Sequence, residues 1–119
     1  MSFSFLRSKA LQYGKMQTGW LLDGGKWYYL DKDNGDMVTG WKKLDRGQWY
    51  YFNKSGVAAQ GWQKVDGYWY FFRICAMQTG WLYDGGKWYY LNADGKMRTA
   101  DLKYQGKVYH FNSSAAYGC

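Results

Sequence analysis

Eight tryptophans are the residues of this chain whose type and spacing could do chemistry, because they fall at only two places in a repeating pattern. Trp20, Trp41, Trp62 and Trp81 each follow a glycine, at steps of 21, 21 and 19 residues. Trp27, Trp49, Trp69 and Trp88 each lead an aromatic triplet. Indole and phenol rings present electron-rich faces that can surround a cation lacking N–H donors, or stack on sugars and nucleobases. Aromatic residues make up 23% of the 119 residues, yet the mean hydropathy is −0.63. A thin, hydrophilic chain cannot hide so many rings, so a share of them is expected to contact ligand.

Other chemistries are poorly supplied. All nine acidic residues are aspartates, glutamate is absent, and His110 is the single histidine. Glu-based acid–base pairs and the H-E-x-x-H zinc motif are therefore excluded, and a triad would have to be built around His110, for which the sequence places no acid partner. His110 reads instead as an aromatic substitute at a tyrosine position. The acidic run Asp31–Asp36 fails as a calcium loop, since its glycine comes one position early and Lys42 stands where the loop requires a glutamate. Cys75 and Cys119 make no CxxC pattern; one bridge, an inter-chain bond and free thiols all remain open. The chain is thus read as a non-enzyme with no metal and no cofactor. Its net charge of +7 points to an acidic partner or serves solubility. Its basic residues are dispersed, which argues against nucleic acid, and no apolar run is long enough for a membrane span or a signal-peptide core.

The elements that position these rings follow from the repeat. Residues 16–29 and 77–90 are identical at thirteen of fourteen positions. Each copy reads as a strand led by Gly-Trp, a turn, and an aromatic strand. Asp23-Gly24-Gly25, Asp45-Arg46-Gly47, Asp66-Gly67, Asp84-Gly85-Gly86 and Gln105-Gly106 supply the turns of five hairpins. A fifth, degenerate copy replaces Gly-Trp with Ala100-Asp101 and Trp-Tyr-Tyr with Val108-Tyr109-His110. A lone hairpin is marginal in water, so each must stack on the next. The reading is an all-β solenoid of β-hairpins, with residues 1–15 as an incomplete repeat or lead-in, 16–112 as the array, and 113–119 as a tail. Two departures stand out: the third linker, Arg73-Ile74-Cys75-Ala76-Met77, is short and lacks glycine, and Ala58 replaces the methionine found in other linkers.

A copy reading TGW, then GKWYYL, then GxMxTGW resembles the choline-binding (cell-wall-binding) repeat of streptococcal surface proteins, autolysins and phage lysins. The resemblance runs from about Met16 to Phe111. It implies a left-handed superhelix of hairpins that binds the choline or phosphocholine groups of teichoic and lipoteichoic acids, an extracellular location at the cell wall, and a choline-promoted homodimer. The lack of a signal-peptide core fits a chain that begins after its targeting segment, an unusual export history, or a protein that stays inside the cell. A glucan- or other carbohydrate-binding repeat, stacking sugars on the same rings, is the alternative reading.

The family's cages combine two tryptophans, one tyrosine and a nearby methionine between consecutive copies. Carried onto this sequence, Trp20 and Trp27 are expected to be closed by Tyr50 with Met37. Trp41 and Trp49 are expected to be closed by Tyr70, with Ala58 leaving that site looser. Trp62 and Trp69 pair with Tyr89 and Met77, and Trp81 and Trp88 with Tyr109 and Met97. Tyr29, Tyr51, Phe71 and Tyr90 are assigned to packing. The fifth copy serves as lid and cap.

Overall fold

The computed structural model describes residues 17–111. The lead-in at 1–15, the tail at 113–119 and Cys119 lie outside the described residues. Among the described residues each of the five hairpins pairs two antiparallel strands adjacent in the chain, as turn-linked aromatic runs dictate. The first hairpin is β1 (Gly19–Asp23) with β2 (Lys26–Leu30), and the second is β3 (Gly40–Leu44) with β4 (Gln48–Phe52). The third, β5 (Gly61–Val65) with β6 (Tyr68–Arg73), belongs to a three-stranded sheet completed by β7 (Ala76–Met77). β8 (Gly80–Asp84) with β9 (Lys87–Leu91) forms the fourth, and β10 (Leu102–Tyr104) with β11 (Lys107–Tyr109) the fifth. Among the described residues the one helical element is a 3-10 turn at Asp45–Gly47, and no helix is long and apolar enough to cross a membrane.

Turn chemistry sets the register. Gly24 and Gly25, Asp66 and Gly67, Gly85 and Gly86, and Gln105 and Gly106 all have positive φ, which gives two-residue turns whose twist matches that of the flanking strands. The register then places the first tryptophan opposite the third aromatic residue of each run: Trp20 with Tyr29, Trp41 with Tyr51, Trp62 with Phe71, Trp81 with Tyr90. Ring centroids in these pairs are 5.2, 5.1, 5.1 and 5.2 Å apart, edge to face. The glycine before each of these tryptophans also has positive φ. Ala100 lacks that freedom, and the fifth hairpin keeps only three-residue strands.

The chain forms two compact units. Among the described residues, one comprises those up to Gln60 together with Ile74–Ala76; the other comprises Gly61–Arg73 and those from Met77 to Phe111. In the first unit the core is a seam cluster of Tyr29, Tyr50, Phe52, Ala58 and Cys75, flanked by Trp20, Val38, Leu44 and Ala76. Both hairpins and two linkers contribute to it, which is how two-stranded pieces bury enough apolar surface to persist.

Linkers tie neighbouring hairpins together. Asp31 and Asn53 open their loops by accepting backbone N–H groups: Oδ1 of Asp31 accepts from Asp33 at 2.8 Å, and Oδ1 of Asn53 from Ser55 and Val57 at 2.9 and 3.0 Å. The Asp31 carboxylate is thus engaged by the turn. Each linker then runs back along its own hairpin, as Val38 N–H to the Tyr29 carbonyl and Arg98 N–H to that of Tyr90 show. It also reaches the preceding hairpin: Ala58 N–H donates to the Trp27 carbonyl and Met97 N–H to the Trp69 carbonyl, each at 2.8 Å.

The two departures of the sequence are one compensated change. A Cβ on Gly56 would collide with the Met37 sulfur, and one on Gly95 with the Met77 sulfur, so glycine there makes room for a methionine. Counting back two residues from the methionine position, Cys75 holds the place of that glycine, also at positive φ (+65°). Its side chain fits because the residue in the methionine's place at that seam is Ala58, in the same core cluster.

A candidate aromatic cation site

Stacking hairpins brings the second aromatic of one run onto the first tryptophan of the preceding copy. Trp20 meets Tyr50 at 5.0 Å and 67° between ring planes, and meets Trp27 at 6.2 Å and 88°. Trp81 meets Tyr109 at 4.9 Å and 69°, and Trp88 at 6.3 Å and 86°. These two constellations are nearly superimposable in geometry, one in each unit. Trp62 meets Tyr89 at 5.0 Å and 66°. Three ring faces at steep mutual angles make a concave, electron-rich surface suited to a cation whose hydrogens are all on carbon. Around the first constellation lies a cleft of about 320 Å³ lined by Trp20, Trp27, Tyr50, Ile74 and Cys75.

The two tryptophans of a copy play different parts. Trp20 is also 5.7 Å from Phe52 and is largely packed, whereas Trp27, Trp49, Trp69 and Trp88 are 37 to 45% exposed. Large rings left open at the same repeat position are not explained by core packing. Tyr50 and Tyr70 are buried, as is Tyr28. Trp41 and Trp49 belong to the first unit and Tyr70 to the second.

Methionine placement differs from the sequence reading by one copy. Met37 packs over Gly56, where Tyr28 also lies close, and Met77 over Gly95. The residue bonded at Trp27 is Ala58, and the one at Trp69 is Met97, which shares a cleft of about 400 Å³ with Trp69, Tyr68, Lys96 and Arg98. The periodicity shows that a methionine recurs, but its seam depends on how far the linker travels, which no spacing reveals.

Three contacts escape sequence reasoning. The Trp62 Nε1–H donates to Asp84 Oδ2 at 2.9 Å, so the turn aspartate of the fourth hairpin fixes a cage ring of the third. Lys96 Nζ sits 3.9 Å above the Tyr68 ring. His110, expected to lack an acid partner, has one: its Nδ1 is 2.9 Å from Asp101 Oδ1. Asp101 stands at the Trp position and His110 at that of the third aromatic, so a polar pair replaces the Trp–Tyr pair of the regular copies. The hairpin register, counted across the degenerate copy, was the signal available.

Burial pushes the phenol of Tyr28 above its ordinary 10.0, with Asp23 adding to the shift. Tyr70 is raised first by burial, then by Asp94, Asp66 and Tyr68. The Cys75 thiol rises above 9.0 through burial, partly offset by its hydrogen bond from Gln60. These groups ionise more readily in the unfolded chain, so their contribution is complete below about pH 9 and lost as pH climbs past 9 to 10 and beyond. The urea midpoint followed by near-UV circular dichroism is expected to be flat from about pH 7 to 9 and to fall by about pH 10.5. A midpoint unchanged at the upper pH would contradict this.

Comparisons place these features among known proteins. The family profile described as choline-binding repeat matches residues 11–40, 38–74 and 59–100. Choline binding protein F of Streptococcus pneumoniae is 44% identical over 90% of this chain and 36% of its own, with a TM-score of 0.82. CbpJ from Streptococcus pneumoniae TIGR4 is 37% identical over 88% of this chain and 37% of its own, with a TM-score of 0.84. The multimodular pneumococcal cell wall endolysin from phage Cp-1, solved with choline, is 34% identical over 85% and 30%, with a TM-score of 0.55. The chain spans about a third of the length of these proteins. A search of curated proteins found no match.

Proposed function

Because the chain belongs to the choline-binding repeat family, its fold being that of stacked choline-binding hairpins, we propose that it anchors its protein to a choline-bearing cell wall through the aromatic cages described above. The observation that carries this reading is the recurrence of one ring geometry, Trp20–Trp27–Tyr50 and Trp81–Trp88–Tyr109, with the second tryptophan left open each time. Trp62 meets Tyr89 in the same way, and Trp69 of that copy, bordered by Met97, is the open ring assigned to a further cage in this reading. The phage endolysin was solved complexed with choline, and choline binding protein F in the presence of a peptidoglycan analogue, which supports a choline-bearing cell-wall ligand here.

The ligand follows from the chemistry. A trimethylammonium group has no N–H to donate, so its recognition rests on ring faces around its methyls. Each ring contributes about 0.5–2 kcal/mol, and a cage of three gives roughly millimolar affinity. Several cages along one polymer raise avidity by about 10²–10⁴. The natural polymer in this reading is choline-decorated teichoic or lipoteichoic acid at the streptococcal surface, outside the cell. Its phosphates would be drawn by the +7 charge, including Lys26, Lys42, Lys43, Lys64 and Lys87. Binding requires no catalysis by this segment, and choline is a ligand and no cofactor. Pairing of two copies through terminal hairpin edges, promoted by choline, belongs to the same proposal.

The test is a titration of tryptophan fluorescence with choline chloride, tetramethylammonium chloride, sodium chloride and a glucan oligomer. Saturable responses at roughly millimolar choline and tetramethylammonium, and none to sodium chloride, are expected. A response to the glucan alone would overturn the proposal and make the rings sugar platforms.

A further inference from the structure

The first cage carries a fourth side, made by the linker that breaks the repeat. Ile74 and Cys75 line the same cleft as Trp20, Trp27 and Tyr50. Both have positive φ, +50° and +65°, as a two-residue hairpin turn requires. A β-branched isoleucine takes that conformation only when its surroundings hold it there. Gln60 does the holding: its Oε1 accepts from Cys75 N–H at 3.1 Å and its Nε2 donates to Cys75 Sγ at 2.9 Å. Cys75 is 5% exposed, and with the thiol drawn into the core its neighbour is turned outward, leaving Ile74 86% exposed. An exposed aliphatic side chain at the rim of a ring-walled cleft is apolar surface that a ligand can cover.

Resting on the cage reading above, we infer that Ile74 is a specificity-determining residue, which makes the first cage favour quaternary ammonium ions whose fourth substituent is apolar. Three N-methyl groups occupy the ring faces of Trp20, Trp27 and Tyr50. The fourth arm must leave past the rim, where Ile74 stands. An apolar arm there removes the isoleucine from water, while the hydroxyethyl arm of choline keeps its terminal oxygen hydrated and covers little. Apolar contacts of one or two methylene groups discriminate by roughly tenfold or more. Cys75 acts through position, holding the turn that presents its neighbour.

The experiment follows the indole N–H signals of Trp27 and Trp88 by ¹H–¹⁵N NMR, assigned through Trp27→Phe and Trp88→Phe, during titration with choline and with benzyltrimethylammonium. In the unmodified chain, benzyltrimethylammonium is expected to half-saturate Trp27 at about one tenth of the choline concentration. Ile74→Ser should bring that ratio to within about twofold of unity and leave both titrations at Trp88 unchanged. Ile74→Asn, a residue at ease with positive φ, should do the same with the fold relieved of strain. A ratio that does not depend on residue 74, or a ratio near one in the unmodified chain, would overturn the inference while leaving the cage reading intact. If neither ion moves either indole, the cage reading falls and this inference with it.

Discussion

The double variant Trp27→Ala/Trp88→Ala is expected to lose retention on a choline-substituted matrix while keeping its fold. Trp27 and Trp88 are 37% and 45% exposed, and their ring contacts are to Trp20, and to Trp81 and Tyr83. Removing them opens one wall of a cage in each unit and leaves the seam beneath in place. Each lost ring face costs about 0.5–2 kcal/mol, and disabling two cages also removes the linkage that made weak sites act together. The apparent affinity for a choline polymer should fall about a hundredfold or more, with the thermal midpoint moved by only a few degrees. Retention within threefold of the parent would place the ligand elsewhere. Trp20→Ala is a poorer probe, because Trp20 also packs on Tyr29, Tyr50 and Phe52 and its removal mixes binding with stability.

Phe52→Ala should have the largest effect on stability. Phe52 is fully buried, lies 5.7 Å from Trp20 and 6.5 Å from Tyr29, and bridges to Ala58. It therefore joins the second hairpin, its linker and the first cage's keystone ring in one seam. A buried phenylalanine truncated to alanine costs about 3–5 kcal/mol. Whole domains are stable by about 5–15 kcal/mol, so most of the margin would go. The urea midpoint should drop accordingly, and the near-UV signal of packed indoles should fade at temperatures where the parent is native. Phe71→Ala, at a half-buried position opposite Trp62, should cost distinctly less. Equal costs for the two would mean that the buried seam is not where stability resides.

Much of this architecture was legible in the residues. Turn aspartates and glycines announced the hairpins, and the twofold placement of tryptophan announced which rings recur in each copy, because both depend on short-range geometry that repeats with the chain. Trp20 and Tyr50, Trp62 and Tyr89, and Trp81 and Tyr109, paired through the family resemblance, lie 5.0, 5.0 and 4.9 Å apart. What stayed hidden depends on contacts between copies. Met97 at Trp69, Asp84 at Trp62 and Cys75 at Tyr50 each join residues whose meeting is fixed by stacking, so no local pattern signals them. Asp101 and His110 are an intermediate case. They were within reach of a register count, but each taken alone looked like decay of the repeat.

The seams between copies also bear on how so repetitive a chain finds its one arrangement. Two stretches identical at thirteen of fourteen positions invite hairpins to dock on the wrong neighbour. Met37 needs a bare glycine opposite it, and Gly56 provides one; the Cys75 side chain occupies the corresponding space and tolerates only something as small as Ala58. A methionine brought against Cys75 would collide, and an alanine against Gly56 would leave a void. The irregular seam thus works as an address label, written in side-chain volume, that tells near-identical copies where in the series they belong.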